Sequence, residues 1–214
     1  MPSSRRSFSR EQPEQRKEAL IEATLKLMAE TGPAGATVRA IAETAGMSQG
    51  MIRHYFSSKE DLIVAAYERH MHALTEATEA QASQAGSAED RLRNFIVASL
   101  TPPVVDARAM ALWAGFIHMV RRDQAMQDTH ERTYYHFRDR LEVLIAAARR
   151  EAGCAATPAT NRRHAIACNA VIDGLWLEGG ALPEAFADSE LAEIGLTSVA
   201  AITGLEFHER KGAP

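Results

Sequence analysis

The chain has 214 residues, 46% of them hydrophobic, which is enough for a substantial core in one domain or two. A net charge of −4 excludes a uniformly basic nucleic-acid binder, but the charge is uneven: residues 1–60 carry 9 Lys/Arg against 7 Asp/Glu, and the rest 15 against 21. No apolar run approaches the roughly 20 residues of a membrane span. Cys154 and Cys168 form no CxxC pattern, so a reducing cytoplasm is expected.

The opening MPSSRRSFSR is basic and polar without an apolar stretch. It reads as a disordered arm over residues 1–13, not a signal peptide, with Arg5, Arg6 and Arg10 available to DNA backbone or minor groove. Apolar residues then recur at three and four, and strand signals are nearly absent, so the expected class is all-α. The first helix runs over about 14–31 with Leu20, Ile21, Thr24, Leu25 and Met28 on one face, and Gly32-Pro33 ends it. Thr37 caps a short helix over 38–45, with Val38, Ile41, Ala42 and Ala45 inward, which Gly46 closes. Ser48 caps a helix of about two turns ending at Phe56. Ser57-Ser58 interrupts the pattern, and Ser58 caps a long helix from Lys59 to about Gln84.

Gly86-Ser87 is a turn, a helix follows to about Leu100, and Pro102-Pro103 forces a break. Residues 105–122 and 123–152 read as two helices with a weak boundary. Thr157-Pro158 opens a helix to about Glu178 that Gly179-Gly180 stops, and a last helix spans about 189–207 before a fraying tail, 208–214. The domains are therefore a helix-turn-helix head over 14–58 and a helical body over 59–207, sharing the helix that begins at Lys59.

Residues 38–56 form helix, glycine turn, helix. Ile52 and Phe56 supply the second helix's buried side, leaving Gln49, Arg53 and His54 on the other, with Gly50 as bare backbone. Ser48 leaves the helix N-terminus open to a phosphate. Arg53 can fork onto guanine or grip phosphate, and Gln49 can pair with adenine or phosphate. Tyr55 and Lys59 lie where a duplex backbone would pass. A solvated polar face on a helix-turn-helix that binds no nucleic acid is the alternative reading of the same residues.

The run from Ala36 to Ala66 resembles the DNA-binding domain of the TetR family of bacterial regulators. The resemblance rests on Thr37, Gly46, Ser48, Gly50, Tyr55-Phe56, Lys59, Glu60 and Leu62. Many members have tyrosine where this chain has Arg53, and arginine can keep that phosphate contact or turn to a base. The resemblance implies a homodimer on a palindromic double-stranded operator, released by a small-molecule effector. Within the body, NAVIDGLWLEGG at 169–180 and AMALWAGF at 109–116 resemble the eighth and sixth helices of BetI-type, choline-responsive repressors of glycine betaine synthesis.

Quaternary ammonium recognition needs aromatic faces and often a nearby anion. Trp113, Phe116 and Trp176 are the candidate faces and Asp173 the candidate anion, three residues before Trp176 on one helix side. Plain core packing is the competing reading for each. The last two helices, with Leu175, Leu191, Ile194, Leu196, Val199, Ile202 and Leu205, are expected to pair across a four-helix dimer interface. No Cys/His cluster has zinc spacing, and no Gly-rich phosphate loop, nucleophile elbow or HExxH occurs, so neither metal, cofactor nor enzymatic activity is expected. The alternatives are a regulator of this fold answering another lipophilic effector, and an α-helical enzyme or carrier with an incidental helix-turn-helix.

Overall fold

The computed structural model describes residues 13–83, 86–154 and 157–207. Arg5, Arg6 and Arg10 and the expected tail lie outside the described residues. The described residues form α-helices and one short 3-10 turn, with no strand. Two compact units divide between Ala66 and Tyr67. The boundary expected before Lys59 lies earlier in the chain, at the start of the same helix.

In the first unit, α1 (Pro13–Gly35) opens on proline, the last residue of the expected arm. Proline suits a first helical position because its missing N–H would be unpaired there anyway. Gly32 takes φ 71° and kinks the helix where a stop was expected, so only a final turn follows to Gly35. α2 (Val38–Thr44) is capped as expected, with the Ala40 N–H donating to Thr37 Oγ1 at 3.2 Å. The turn closes through Gly46 at φ 66°, whose N–H donates to the Glu43 carbonyl while that of Met47 reaches Ala42. α3 (Gln49–Tyr55) follows. Leu20, Ile21, Leu25 and Met28 of α1, Ile41 and Ala42 of α2, Ile52 of α3 and Phe56 are all buried in this unit. α4 (Lys59–Ala82) begins here, and the Asp61 N–H donates to Ser58 Oγ.

In the second unit, α4 continues and is followed by α5 (Ala88–Ser99), α6 (Ala107–Val120), α7 (Gln124–Glu151), α8 (Pro158–Ala181) and α9 (Glu190–Thr203), with a 3-10 turn at Pro183–Ala185 before α9. Aspartate caps resolve the weak boundary in the apolar pattern: Asp106 accepts from the Ala109 N–H to start α6, and Asp123 from the Met126 N–H to start α7. The core gathers Leu92, Phe95 and Ile96 of α5, Leu141 and Ile145 of α7, Cys168 and Ile172 of α8, and Val199 of α9. Burial in that core raises the Cys168 thiol to about 12 and leaves it protonated.

Two helix ends differ from expectation. Gly179 and Gly180 do not stop α8; they lie inside it. Their missing side chains serve close packing: a Cβ on Gly179 would come within 2.3 Å of Leu191 Cδ1 and 2.9 Å of Val105 Cγ1, and one on Gly180 within 3.0 Å of Met110 Cβ. The last helix stops at Thr203, not near Phe207, because Gly204 takes φ 69° and ends it in the left-handed region.

Candidate DNA-reading helix and effector cavity

α3 presents its two sides as the sequence implies. Ile52 and Phe56 are 2% and 7% exposed and hold the helix down. Gln49, Gly50, Arg53 and His54 are exposed, as are Thr37 and Ser48, while Tyr55 and Lys59 are half-buried. Ser48 occupies the N-cap position with extended backbone, but its side chain makes no capping bond. Arg53 and His54 lie in the last turn, where positive charge complements the helix dipole. The His54 ring meets that of Tyr55 edge-on at 4.9 Å, and Lys17 Nζ sits 5.8 Å above the Phe56 ring. Between Thr37 and Lys59 the chain thus keeps a polar side outward by burying Ile41, Ala42, Ile52 and Phe56.

The second unit holds a cavity of about 90 Å³ lined by α4, α5, α6, α7 and α8 together with Val104. Trp113 and Trp176 both line it, ring centroids 5.8 Å apart and nearly perpendicular. The Trp176 indole N–H donates to the Val104 carbonyl at 2.8 Å, fixing the ring plane. Asp173 lines it too. Phe116 does not: it is fully buried, 4.8 Å from the Tyr67 ring and 6.3 Å from that of His70. Trp113 and Phe116 are three residues apart on α6 and face different neighbours, so two of the three expected aromatic faces line the cavity.

Two aromatic side chains not singled out in the sequence complete the lining, Tyr134 and Phe137 of α7. Their i, i+3 spacing within the run YYHF is the signal that could have found them. The Tyr134 hydroxyl donates a short hydrogen bond to Asp173 Oδ2, and Asn169 Nδ2 donates to the same oxygen at 2.8 Å. Asn169 Nδ2 also reaches the Tyr134 hydroxyl at 2.6 Å. Burial pushes the Asp173 carboxyl above the usual carboxylate range, outweighing the two hydrogen bonds and His130, which favour the ionised form. Tyr134 is raised to about 12 by burial and by its bond to Asp173, so it remains a donor at neutral pH. The cavity is therefore aromatic on several sides with one oriented carboxyl group, an arrangement suited to a compact organic cation. Among the described residues no three His, Cys, Asp or Glu side chains gather as a metal site, and no helix is long and apolar enough to cross a membrane.

His70 and His72 fall on different sides of α4, as the His-x-His spacing requires: His70 is 6% exposed, whereas His72 reaches the surface. Burial, with Arg108 nearby, lowers His70 to about 4, so it is held neutral. The unfolded chain binds a proton there near the ordinary histidine value, and the folded chain only near 4. Stability is then lost as pH falls through that window, by about 3 kcal/mol in total. Urea unfolding at pH 7, 5.5 and 4.5 is expected to show this loss, and His70→Phe to remove part of it; an unchanged slope in that variant would contradict the assignment.

Most of the residues expected at the dimer interface pack within the chain's own core. Val199 and Leu205 are buried within the chain, and Leu175, Leu191, Leu196 and Ile202 pack partly against its core. Of that set, Ile194 is exposed, at 40%. α8 instead carries an exposed small and apolar row, Ile166, Ala170, Gly174 and Leu177, and a Cβ on Gly174 would meet nothing within 4 Å.

Residues 20–66 match the family model described as bacterial regulatory proteins of the tetR family, and residues 88–204 match the C-terminal domain of BetI-type transcriptional repressors. The HTH-type transcriptional regulator BetI of Burkholderia thailandensis is 32% identical over 165 residues, covering 77% of this chain and 81% of that one. The crystal structure of a protein of Pseudomonas aeruginosa PAO1 described as a transcriptional regulator superimposes with a TM-score of 0.82 at 32% identity, covering 93% of this chain and 95% of that one. A regulator of Saccharomonospora viridis, solved in complex with choline, has the same fold at a TM-score of 0.71 and 19% identity, covering 86% and 94%. The family is non-enzymatic, which removes the enzyme alternative. The chain belongs to the TetR family of DNA-binding transcriptional regulators, with a BetI-type C-terminal domain.

Proposed function

We propose that the protein is a homodimeric repressor that leaves its operator when choline or a related quaternary ammonium compound enters the cavity. The observation that carries this reading is the cavity itself: Trp113, Trp176, Tyr134 and Phe137 around Asp173. An ion without N–H groups gives up no hydrogen bonds to a wall of rings, and gains about 0.5–2 kcal/mol from each face it meets. The similarity to BetI-type regulators supports the same ligand class.

On DNA, Gln49 and Arg53 read base edges or phosphate, with Gly50 allowing close approach and His54 beside them. Thr37, Ser48, Tyr55 and Lys59 hold the backbone. The exposure of all of them except the half-buried Tyr55 and Lys59, on α3 and its flanks, supports this division of roles. The α8 row from Ile166 to Leu177, with Ile194 of α9, is the dimer face: an exposed apolar stripe interrupted by a glycine suits close helix pairing.

Calorimetry with choline tests the reading. The dimer is expected to bind it, and Trp113→Ala to bind about 0.5–2 kcal/mol more weakly while keeping its operator affinity. Glycine betaine is expected to bind less well, since its carboxylate would face Asp173. No heat at millimolar choline would leave a TetR-family regulator with another effector.

A further inference from the structure

The cavity's carboxyl group is tied to α4 by a continuous set of contacts that starts at Tyr134 on the cavity wall and runs through His130 and Tyr67, which do not line it. Tyr134, which donates to Asp173, stacks on the His130 ring at 5.4 Å with an interplanar angle of 27°. His130 Nδ1 shares a 2.6 Å hydrogen bond with the Tyr67 hydroxyl, and the two rings lie 14° from parallel. Tyr67 is fully buried and wedged against Phe116, so it has no free space in which to absorb a displacement. It sits on α4, one residue after Ala66, where the match to the DNA-binding family model ends.

We propose that Tyr134, His130 and Tyr67 are positioning residues through which the charge state and occupancy of Asp173 set operator affinity. The inference rests on the effector-release reading above. Asp173 Oδ2 is shared by Tyr134 and Asn169, so a cation arriving at the carboxylate competes for the oxygen that holds the Tyr134 hydroxyl. A turn of the Tyr134 ring alters its stack on His130. The imidazole then strains or breaks its bond to Tyr67, and α4 takes up the change because the Tyr67 ring cannot move alone. The rival route is direct: Met71, Leu74, Thr75 and Thr78 of the same helix line the cavity and would be pushed by any ligand, whatever Tyr67 bonds to. Tyr67→Phe separates the two, since it removes the hydroxyl and leaves the ring packing and those four residues in place.

The test is a ligand-free cycle of wild type, Asp173→Asn, Tyr67→Phe and the double variant, each confirmed folded by circular dichroism. Their affinities for an operator fragment selected from random duplexes are read by fluorescence anisotropy at one salt concentration. Asp173→Asn is expected to change the dissociation constant about fivefold or more in the wild-type background, and by less than about twofold beside Tyr67→Phe. Equal changes in both backgrounds, or none in either, would overturn the proposal. A choline arm distinguishes the two readings. If wild type is released and Tyr67→Phe binds choline with the same heat but stays on the operator, the coupling path holds. If both are released equally, the direct route is correct and the proposal fails. If wild type gives no heat with choline, the effector assignment fails, and the ligand-free cycle still decides the coupling.

Discussion

Replacing both Ile166 and Leu177 by glutamate is expected to yield a folded monomer whose operator affinity is lower by about 10³-fold or more. Both side chains are about 40% exposed within the chain, so neither charge has to be buried there. In a dimer they would meet the copy of the same α8 row, and four carboxylates would be brought into one apolar seam. A monomer engages one half-site, loses half of its phosphate and base contacts, and falls towards non-specific binding. Sedimentation and anisotropy read the two effects separately. A variant that stays dimeric would place the interface elsewhere, and a monomer that keeps full affinity would contradict a two-fold reader. Leu175→Glu, at a residue also expected in the interface, is a poorer probe, because Leu175 packs against the core and its loss would disturb folding as well.

Phe116→Ala is expected to destabilise the protein by about 3–5 kcal/mol, as truncation of a fully buried aromatic does. The ring is in contact with Tyr67 and close to His70, and no surface replaces those contacts when it is removed. Phe116→Leu keeps most of the volume and is expected to cost less, leaving choline binding within about twofold of wild type. Trp113→Ala should show the reverse pattern, with the larger effect on the ligand. A loss of choline affinity in Phe116→Leu as large as in Trp113→Ala would return Phe116 to the cavity wall.

What could be read from the sequence was local. Thr37, Gly46 and Ser58 mark helix ends through their own backbone and nearest amides, so the short helices of the first unit were legible residue by residue. The cavity was only half legible because its defining contacts join distant parts of the chain. Tyr134 reaches Asp173 across 39 residues, and the Trp176 indole reaches Val104 across 72. Apolar periodicity says that a residue is inside, not which neighbour it meets there, and so Phe116 and Trp113 looked alike. Gly179-Gly180 misled for a related reason: glycine that ends a helix and glycine that lets another chain segment come close have the same letter, and only the positions of Leu191, Val105 and Met110 distinguish them. The residues expected at a dimer face were hard to tell from core for the same reason: the larger side chains of α8 and α9 pack in the chain's own core, leaving a smaller row exposed on α8.

The central claim is that one molecule joins operator binding to a cationic effector. It is tested most directly by titrating choline into a complex of the dimer with a labelled palindromic operator fragment, followed by anisotropy at fixed salt. Two protomers per duplex and a dissociation constant of about 10⁻⁸–10⁻¹¹ M are expected without choline, weakening by about 5- to 150-fold at saturation. An operator affinity that stays unchanged to millimolar choline, in a protein that binds the duplex, would contradict the account.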